Sequence, residues 1–281
     1  MTSNYLLSSM RIIAFEGLNG SGKSSAIQML NESVIECGKS VKNVKIAGFG
    51  KSKRVQELYP LMQELELRRK KDLLTDTEYI DYCRNKIIRL TINIQIEEYR
   101  NEIANCIDKP DIVLMDRTPM VSWVYSSTIP AREKYLDEIL QEAVDQTESL
   151  EIDDIVVLDV EPWISYARTF LRSINEGENI YSLLTRLKII CKQMKLTDVD
   201  MEKIMAYVKH FFFENISSRL TRPLDLQMSY EEVAMQREKY KEVGLHIKVP
   251  NSTHIIIINA MNNIEEVVSE IKSKINISHE S

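Results

Sequence analysis

The residues able to do chemistry are concentrated early in the chain. Gly17-Leu18-Asn19-Gly20-Ser21-Gly22-Lys23-Ser24 matches the spacing G-x-x-x-x-G-K-[ST], and three of the eight glycines in the chain fall inside it. Glycine lets a backbone wrap closely and turn successive N–H groups inward, which makes a concave site for anionic oxygens. The apolar stretch Ile12–Phe15 leads into this loop and a helix is predicted to start near Gly22, so the positive end of the helix adds to the same site. Lys23 supplies a mobile positive charge for β- and γ-phosphates, and the Ser24 hydroxyl is placed to ligate Mg2+. Gly17, Asn19, Gly20, Ser21, Gly22, Lys23, Ser24 and Ser25 are therefore expected to bind the triphosphate of ATP.

A second candidate is Ile112-Val113-Leu114-Met115-Asp116-Arg117, an apolar run ending in an acid and a base. P-loop proteins place a carboxylate at the end of such a strand to face Mg2+ or its water shell. The neighbouring guanidinium is a planar fork suited to phosphate. Asp116 is thus expected beside the metal and Arg117 on a phosphate. Phosphoryl transfer also spreads negative charge over the transferring group. The variable loop positions Leu18, Asn19, Gly20 and Ser21 contain no base to meet that charge, so an arginine must come from elsewhere. Arg168, Arg172, Arg186, Arg219 and Arg222 are available, and Arg168 and Arg172 are the catalytic candidates.

These side chains need a rigid frame. Short apolar runs alternate with longer helical patterns, which predicts an α/β fold with a five-stranded, mostly parallel sheet flanked by helices. The expected strands are Ile12–Phe15, Val41–Ala47, Ile112–Met115, Ile155–Val160 and His254–Ile258, each apolar enough to be buried on both faces. Val55 to Cys106 is expected to hold two or more helices, and Pro162 sits where a helix should start. After the polar break Asn175–Asn179, helical patterns cover Ile180–Met194 and Asp198–Ile216 with no strand between them, and another covers Ser229–Val243. Residues 1–174 and 229–281 are accordingly read as two parts of one P-loop kinase core, and residues 175–228 as a helical lid or insertion.

Composition narrows the partners. The chain has 281 residues, is 44% hydrophobic and 28% charged, and carries a formal charge of −6 with a pI near 5.5. That balance supports a sizeable core and speaks against a dedicated nucleic-acid binder, which shows a basic face. Cys37, Cys83, Cys106 and Cys191 form no CxxC pattern and read as isolated reduced thiols. No apolar run reaches membrane-spanning length, so a cytoplasmic protein is expected, with no membrane partner.

The order of these motifs resembles the thymidylate kinase family of nucleoside monophosphate kinases. Ile13 to Ser25 is similar to the family's first strand and P-loop, and Asp116-Arg117 to its Asp-Arg dyad. Leu158-Asp159-Val160-Glu161-Pro162 resembles the fourth strand and the turn into the helix before the lid, and Tyr230 to Tyr240 the helix after it. Ile258-Asn259-Ala260 with Ile264 to Val267 resembles the closing strand and helix, where backbone near Ala260 would contact adenine. The resemblance implies a Mg·ATP-dependent kinase, an acceptor monophosphate on Arg117, a lid-borne catalytic arginine and a homodimer.

Several positions depart from that pattern. Asn19 stands where the family has an acid that helps place the acceptor sugar. The family's Arg-Glu-Pro-Gly-Gly stretch is replaced by Ala47 to Arg54, so any basic contact there falls to Lys51, Lys53 or Arg54. The base-reading arginine has only Arg84, Arg89 or, by register, Asn93 as counterparts, and the lid is longer than usual. The ATP side is thus intact and the acceptor side changed. The leading expectation is transfer of the γ-phosphoryl group to a nucleoside monophosphate, dTMP first. The alternatives are a deoxynucleoside or other small-metabolite kinase, and a non-catalytic ATP-binding switch that holds a partner.

Overall fold

In a computed structural model the structure describes residues 10–46, 52–70, 77–128, 135–171, 179–194, 196–212, 230–246 and 254–277. The strands are β1 (Arg11–Gly17), β2 (Val41–Lys45), β3 (Ile112–Asp116), β4 (Asp154–Asp159) and β5 (His254–Asn259). They form one sheet in the order β2-β3-β1-β4-β5, with every pairing parallel. β1 therefore lies at the centre, and the chain leaves it first to one side and then to the other. A reversal of that kind opens a crevice beyond the carboxyl ends of the strands, where such sheets bind ligands.

The three inner strands β1, β3 and β4 are buried along almost their whole length, as their uninterrupted apolar runs require. β2 and β5 differ from the expectation of burial on both faces. Each is an edge strand with one neighbour, and exposed positions alternate with covered ones in both. Lysines at 42 and 45 in β2 are the kind of side chain that keeps an open edge from pairing with another chain.

Helices cover both faces of the sheet. They are α1 (Lys23–Glu36), α2 (Lys53–Gln56), α3 (Tyr59–Lys70), α4 (Thr77–Asn105), α5 (Val121–Ser126) and α6 (Leu136–Glu148), then α7 (Pro162–Leu171), α8 (Ile180–Gln193), α9 (Asp198–Phe211), α10 (Tyr230–His246) and α11 (Ile264–Lys274). No element is predicted above between Arg117 and Ile155; the structure puts α5 and α6 there. α7 begins at Pro162, whose fixed φ and missing N–H suit a first helical position. Asn179, Thr197 and Asn263 cap α8, α9 and α11, each side chain accepting from a backbone N–H of the first turn.

Among the described residues the core divides into two clusters. The larger one lies on the sheet and includes Ile13, Phe15, Leu30, Leu114, Met115, Ile155 and Ile258. The smaller one joins Tyr166, Ala167, Phe170 and Leu171 of α7 to Leu183, Leu187 and Cys191 of α8 and to Ile204, Val208 and Phe212 at α9. α7 thus serves both: Ile164 enters the sheet core while the far end of the helix seeds the second cluster. Arg172 and residues 213–229, which include Arg219 and Arg222, lie outside the described residues. Among the described residues no helix is long and apolar enough to cross a membrane.

Candidate active site

The phosphate loop joins β1 to α1 at the carboxyl edge of the sheet. Gly22, the residue before α1, has a φ of 99° and therefore a left-handed backbone. A Cβ there would meet nothing nearer than an Arg168 nitrogen at 4.0 Å, so the inner side of the loop is open at this point. Gly20 is needed for the opposite reason. A Cβ on it would come within 2.8 Å of the Ser165 carbonyl, because α7 packs directly on the loop. The Ser165 hydroxyl also donates to the Asn19 carbonyl. Lys23 is buried, and its Nζ donates to the Gly17 and Leu18 carbonyls at 2.7 and 2.8 Å and to Ser21 Oγ at 3.3 Å. Ser24 and Ser25, in the first turn of α1, are exposed.

β3 delivers the acid and base of the second candidate. Parallel pairing sets Asp116 beside Phe15, next to the start of the loop. Asp116 Oδ1 is buried without a hydrogen-bond partner among the described residues, and Oδ2 lies 3.8 Å from Lys45 Nζ. A buried carboxylate oxygen with no donor among the described residues, and an exposed serine hydroxyl at the helix start, are the oxygen-donor chemistry that suits Mg2+. Ser24 and Asp116 fit the metal on these grounds.

Arg117 adopts a φ of 78° immediately after the strand, and its backbone N–H donates to the Phe15 carbonyl at 2.9 Å. Its side chain is buried. Nη1 donates to the Tyr240 hydroxyl at 2.6 Å, and Nη2 to Asn19 Oδ1 at 2.8 Å and to the Tyr125 hydroxyl at 3.5 Å. Its three hydrogen-bonding side chains are neutral; among the described residues no carboxylate lies within ion-pair distance of it. Burial works against the guanidinium charge, but Tyr125, Tyr240, Glu16 and Asp116 outweigh it and keep the group firmly protonated. The loop residue Asn19 and the base after β3 are thus parts of one arrangement.

Arg168, on α7, reaches the same loop. Its guanidinium donates to the Ala260 carbonyl from both Nη atoms at 3.2 Å, to the Gly20 carbonyl at 3.4 Å and, through Nε, to the Tyr207 hydroxyl at 3.2 Å. Ala260 itself is fixed by an N–H bond to the Asp159 carbonyl at 2.8 Å. One arginine therefore links the phosphate loop, the end of β5 and α9.

The remaining basic candidates are used elsewhere. Arg186 stacks over the Phe170 ring at 4.7 Å inside the second cluster. Arg89 is buried and paired with Glu138 and Glu142, so it ties α4 to α6. Asn93 accepts from Gln146 at 2.8 Å on the same α4–α6 seam. Arg54 pairs with Glu97 at 2.9 Å, and Lys53 is exposed. Lys51 and the side chain of Arg84 lie outside the described residues.

Several site residues carried no role in the sequence reading. Glu16 is fully buried and accepts from the Thr118 backbone N–H at 2.6 Å and hydroxyl at 2.7 Å. An acid directly after the buried apolar run Ile12–Phe15 is a legible signal. Tyr240 and Tyr125 had none, since they meet Arg117 only through folding. Arg237 on α10 grips Asp159 with two hydrogen bonds, at 2.6 and 3.0 Å, and pairs with Glu161 at 2.9 Å.

A parallel sheet of this order, with a G-x-x-x-x-G-K-S loop running into a helix at its central strand, defines a P-loop nucleotide-binding α/β protein. The sequence profile described as AAA domain matches residues 12–188, more than half of the chain, and the chain belongs to that family. No curated protein matches it by sequence. Among solved structures it is similar to deoxyadenosine kinase from M. mycoides with bound dATP, at 11% identity and a TM-score of 0.51 over 94% of this chain and 99% of that one. The same enzyme with the products dCMP and a flexible dCDP bound matches at 12% identity and a TM-score of 0.51, over 94% and 98% of the two chains. At such identities the likeness establishes the fold.

Proposed function

We propose that this protein is a Mg·ATP-dependent nucleotide kinase that moves the γ-phosphoryl group to a nucleoside monophosphate, with dTMP the first acceptor to test. One observation carries the reading. Arg117 is buried, fixed by neutral oxygens and, among the described residues, without a direct carboxylate partner, within hydrogen-bond reach of the phosphate loop. A guanidinium held in place by neutral oxygens, with no carboxylate among the described residues hydrogen-bonded to it, is suited to a second, anionic ligand. The family order of the motifs supports the same reading.

In this reading the loop amides and Lys23 hold the phosphates of ATP, with Lys23 exchanging its bonds to the Gly17 and Leu18 carbonyls for phosphate oxygens. Ser24 and Asp116 would hold Mg2+, which neutralises phosphate charge when bound. Arg117 orients the acceptor phosphate. Arg168 or Arg172 supplies the further positive charge, and the segment 175–228 acts as a lid that excludes water. Backbone near Ala260 contacts adenine. The reading includes a homodimer, which sedimentation of the full chain would check.

The fold shared with a deoxyadenosine kinase favours a second reading, transfer to the hydroxyl of a deoxynucleoside. A panel of nucleoside monophosphates and deoxynucleosides, incubated with Mg·ATP, separates the two. Turnover of a monophosphate supports the first reading. Turnover of nucleosides alone replaces it with the second. Tight ATP binding with no acceptor consumed would replace both with a nucleotide-binding switch.

A further inference from the structure

Glu16 has a position that its chemistry does not explain by itself. It is fully buried, one residue before Gly17, and follows the apolar run Ile12–Phe15 near the end of β1. Its Oε1 holds both the backbone N–H and the hydroxyl of Thr118, at 2.6 and 2.7 Å. The preceding residue, Phe15, holds the N–H of Arg117 through its carbonyl at 2.9 Å. Two consecutive residues of β1 therefore grip two consecutive residues of the turn after β3. That turn includes the left-handed backbone of Arg117, φ 78°, which a non-glycine residue keeps only when its surroundings enforce it. The other carboxylate oxygen, Oε2, is buried and has no hydrogen-bond partner among the described residues. Burial pushes this carboxyl above the usual range, while Arg117, the Thr118 bonds and Lys23 pull it back. A half-satisfied buried acid is unfavourable unless nearby positive charge compensates it, and the two cations acting on it are those of the site.

We propose that Glu16 is a positioning residue for Arg117: by clasping Thr118 it sets the turn that aims the guanidinium at the acceptor. Gly17, its neighbour, begins the phosphate loop, so the same residue fixes the ATP side and the acceptor side relative to each other. Having no exposed surface, Glu16 acts through Arg117 and not on a substrate. The inference rests on the reading of Arg117 as the acceptor-binding residue.

The test uses the full chain and four variants: Glu16→Met, Thr118→Val, Arg117→Ala and the double variant Glu16→Met with Arg117→Ala. Glu16→Met keeps the side-chain length and removes the oxygen that accepts from Thr118. Thermal unfolding of each is recorded first. Glu16→Met is expected to raise KM for the acceptor by about tenfold and leave KM for ATP within about twofold. Thr118→Val, which removes one of the two bonds, shifts the acceptor KM in the same direction. Adding Glu16→Met to Arg117→Ala changes nothing further, because residues acting as one unit are not additive. Equal rises in both KM values, or additive losses in the double variant, overturn the proposal. Should Glu16→Met fail to fold, Thr118→Val is compared with Arg117→Ala in its place. A readout without turnover is the side-chain nitrogen resonance of Arg117 in the protein alone. A changed position or width in Glu16→Met or Thr118→Val supports the coupling, and an unchanged signal overturns it. A changed signal in a chain that turns over no acceptor removes the functional reading and leaves the coupling standing.

Discussion

Lys23 Nζ sits between the Gly17 and Leu18 carbonyls, so its charge is stored inside the loop that it serves. Replacing Lys23 by Ala removes that charge without disturbing the sheet. The variant is expected to lower kcat by on the order of 10²-fold or more, with a lower unfolding midpoint because the Gly17 and Leu18 carbonyls lose their donor and Glu16 loses a compensating cation. A normal rate in steady-state assays would remove Lys23 from the site. Tyr240 tests the other side. Its hydroxyl accepts from Arg117 Nη1 at 2.6 Å, and Tyr240→Phe leaves that buried donor without a partner. The loss of orientation is expected to raise the acceptor KM by roughly threefold to thirtyfold, with ATP affinity unchanged by calorimetry. Of these two residues only Lys23 could be assigned from its neighbours in sequence. Tyr240 is 123 positions from Arg117, and no local pattern encodes that contact.

At the scale of elements, two junctions invite measurement. Asp111, at the entrance to β3, accepts from the Ser40 backbone N–H at 2.7 Å and from its hydroxyl at 2.8 Å, which joins the starts of β2 and β3. The Ser40 backbone bond and hydroxyl hold its carboxyl below the usual range. A depressed carboxylate contributes stability that is present above its unfolded pKa of about 3.9 and is lost as pH falls through the lower folded value. Asp111→Asn should therefore be less stable than the parent in denaturant titrations at pH 7, with the gap closing below about pH 4. The second junction is the cluster that joins α7 to α8 and α9. Leu187 is 2% exposed within it, and Leu187→Ala is expected to destabilise the protein by about 2 to 4 kcal/mol, read from the urea midpoint. If α8 and α9 act as a lid hinged at α7, that variant also raises the rate of ATP hydrolysis without acceptor. The helical segment was legible from periodicity and the polar break before it, but its dependence on Tyr166 and Phe170 of α7 was not, because one helix shows two apolar faces to two cores.

For the whole molecule, the sheet order brings the ends of β1, β3, β4 and β5 to one edge, and with them Lys23, Asp116, Asp159 and Ala260. Ligand that binds there selects the folded state. Mg·ADP at 100 times its Kd should stabilise the fold by about 2.7 kcal/mol. For a chain of this size that is a rise of roughly 5 to 11 °C in Tm, absent in Lys23→Ala. A scan with and without Mg·ADP checks both statements, and equal shifts in the two proteins would locate the nucleotide elsewhere.

The sequence by itself determined the strand–loop–helix of the phosphate site, the five strands and most helices, because glycine spacing, cap residues and apolar periodicity are local and act within a few residues. The edge positions of β2 and β5 were not local, since both carry apolar residues and only the strand order decides which face meets solvent. Tertiary structure alone decided what each charge does. Arg89 and Arg54, both sequence candidates for the acceptor, are neutralised by glutamates from other helices. Arg117 is instead met by neutral oxygens from the loop, α5 and α10. A guanidinium has the same chemistry in all three places; the partners that folding brings to it determine whether its charge stays available.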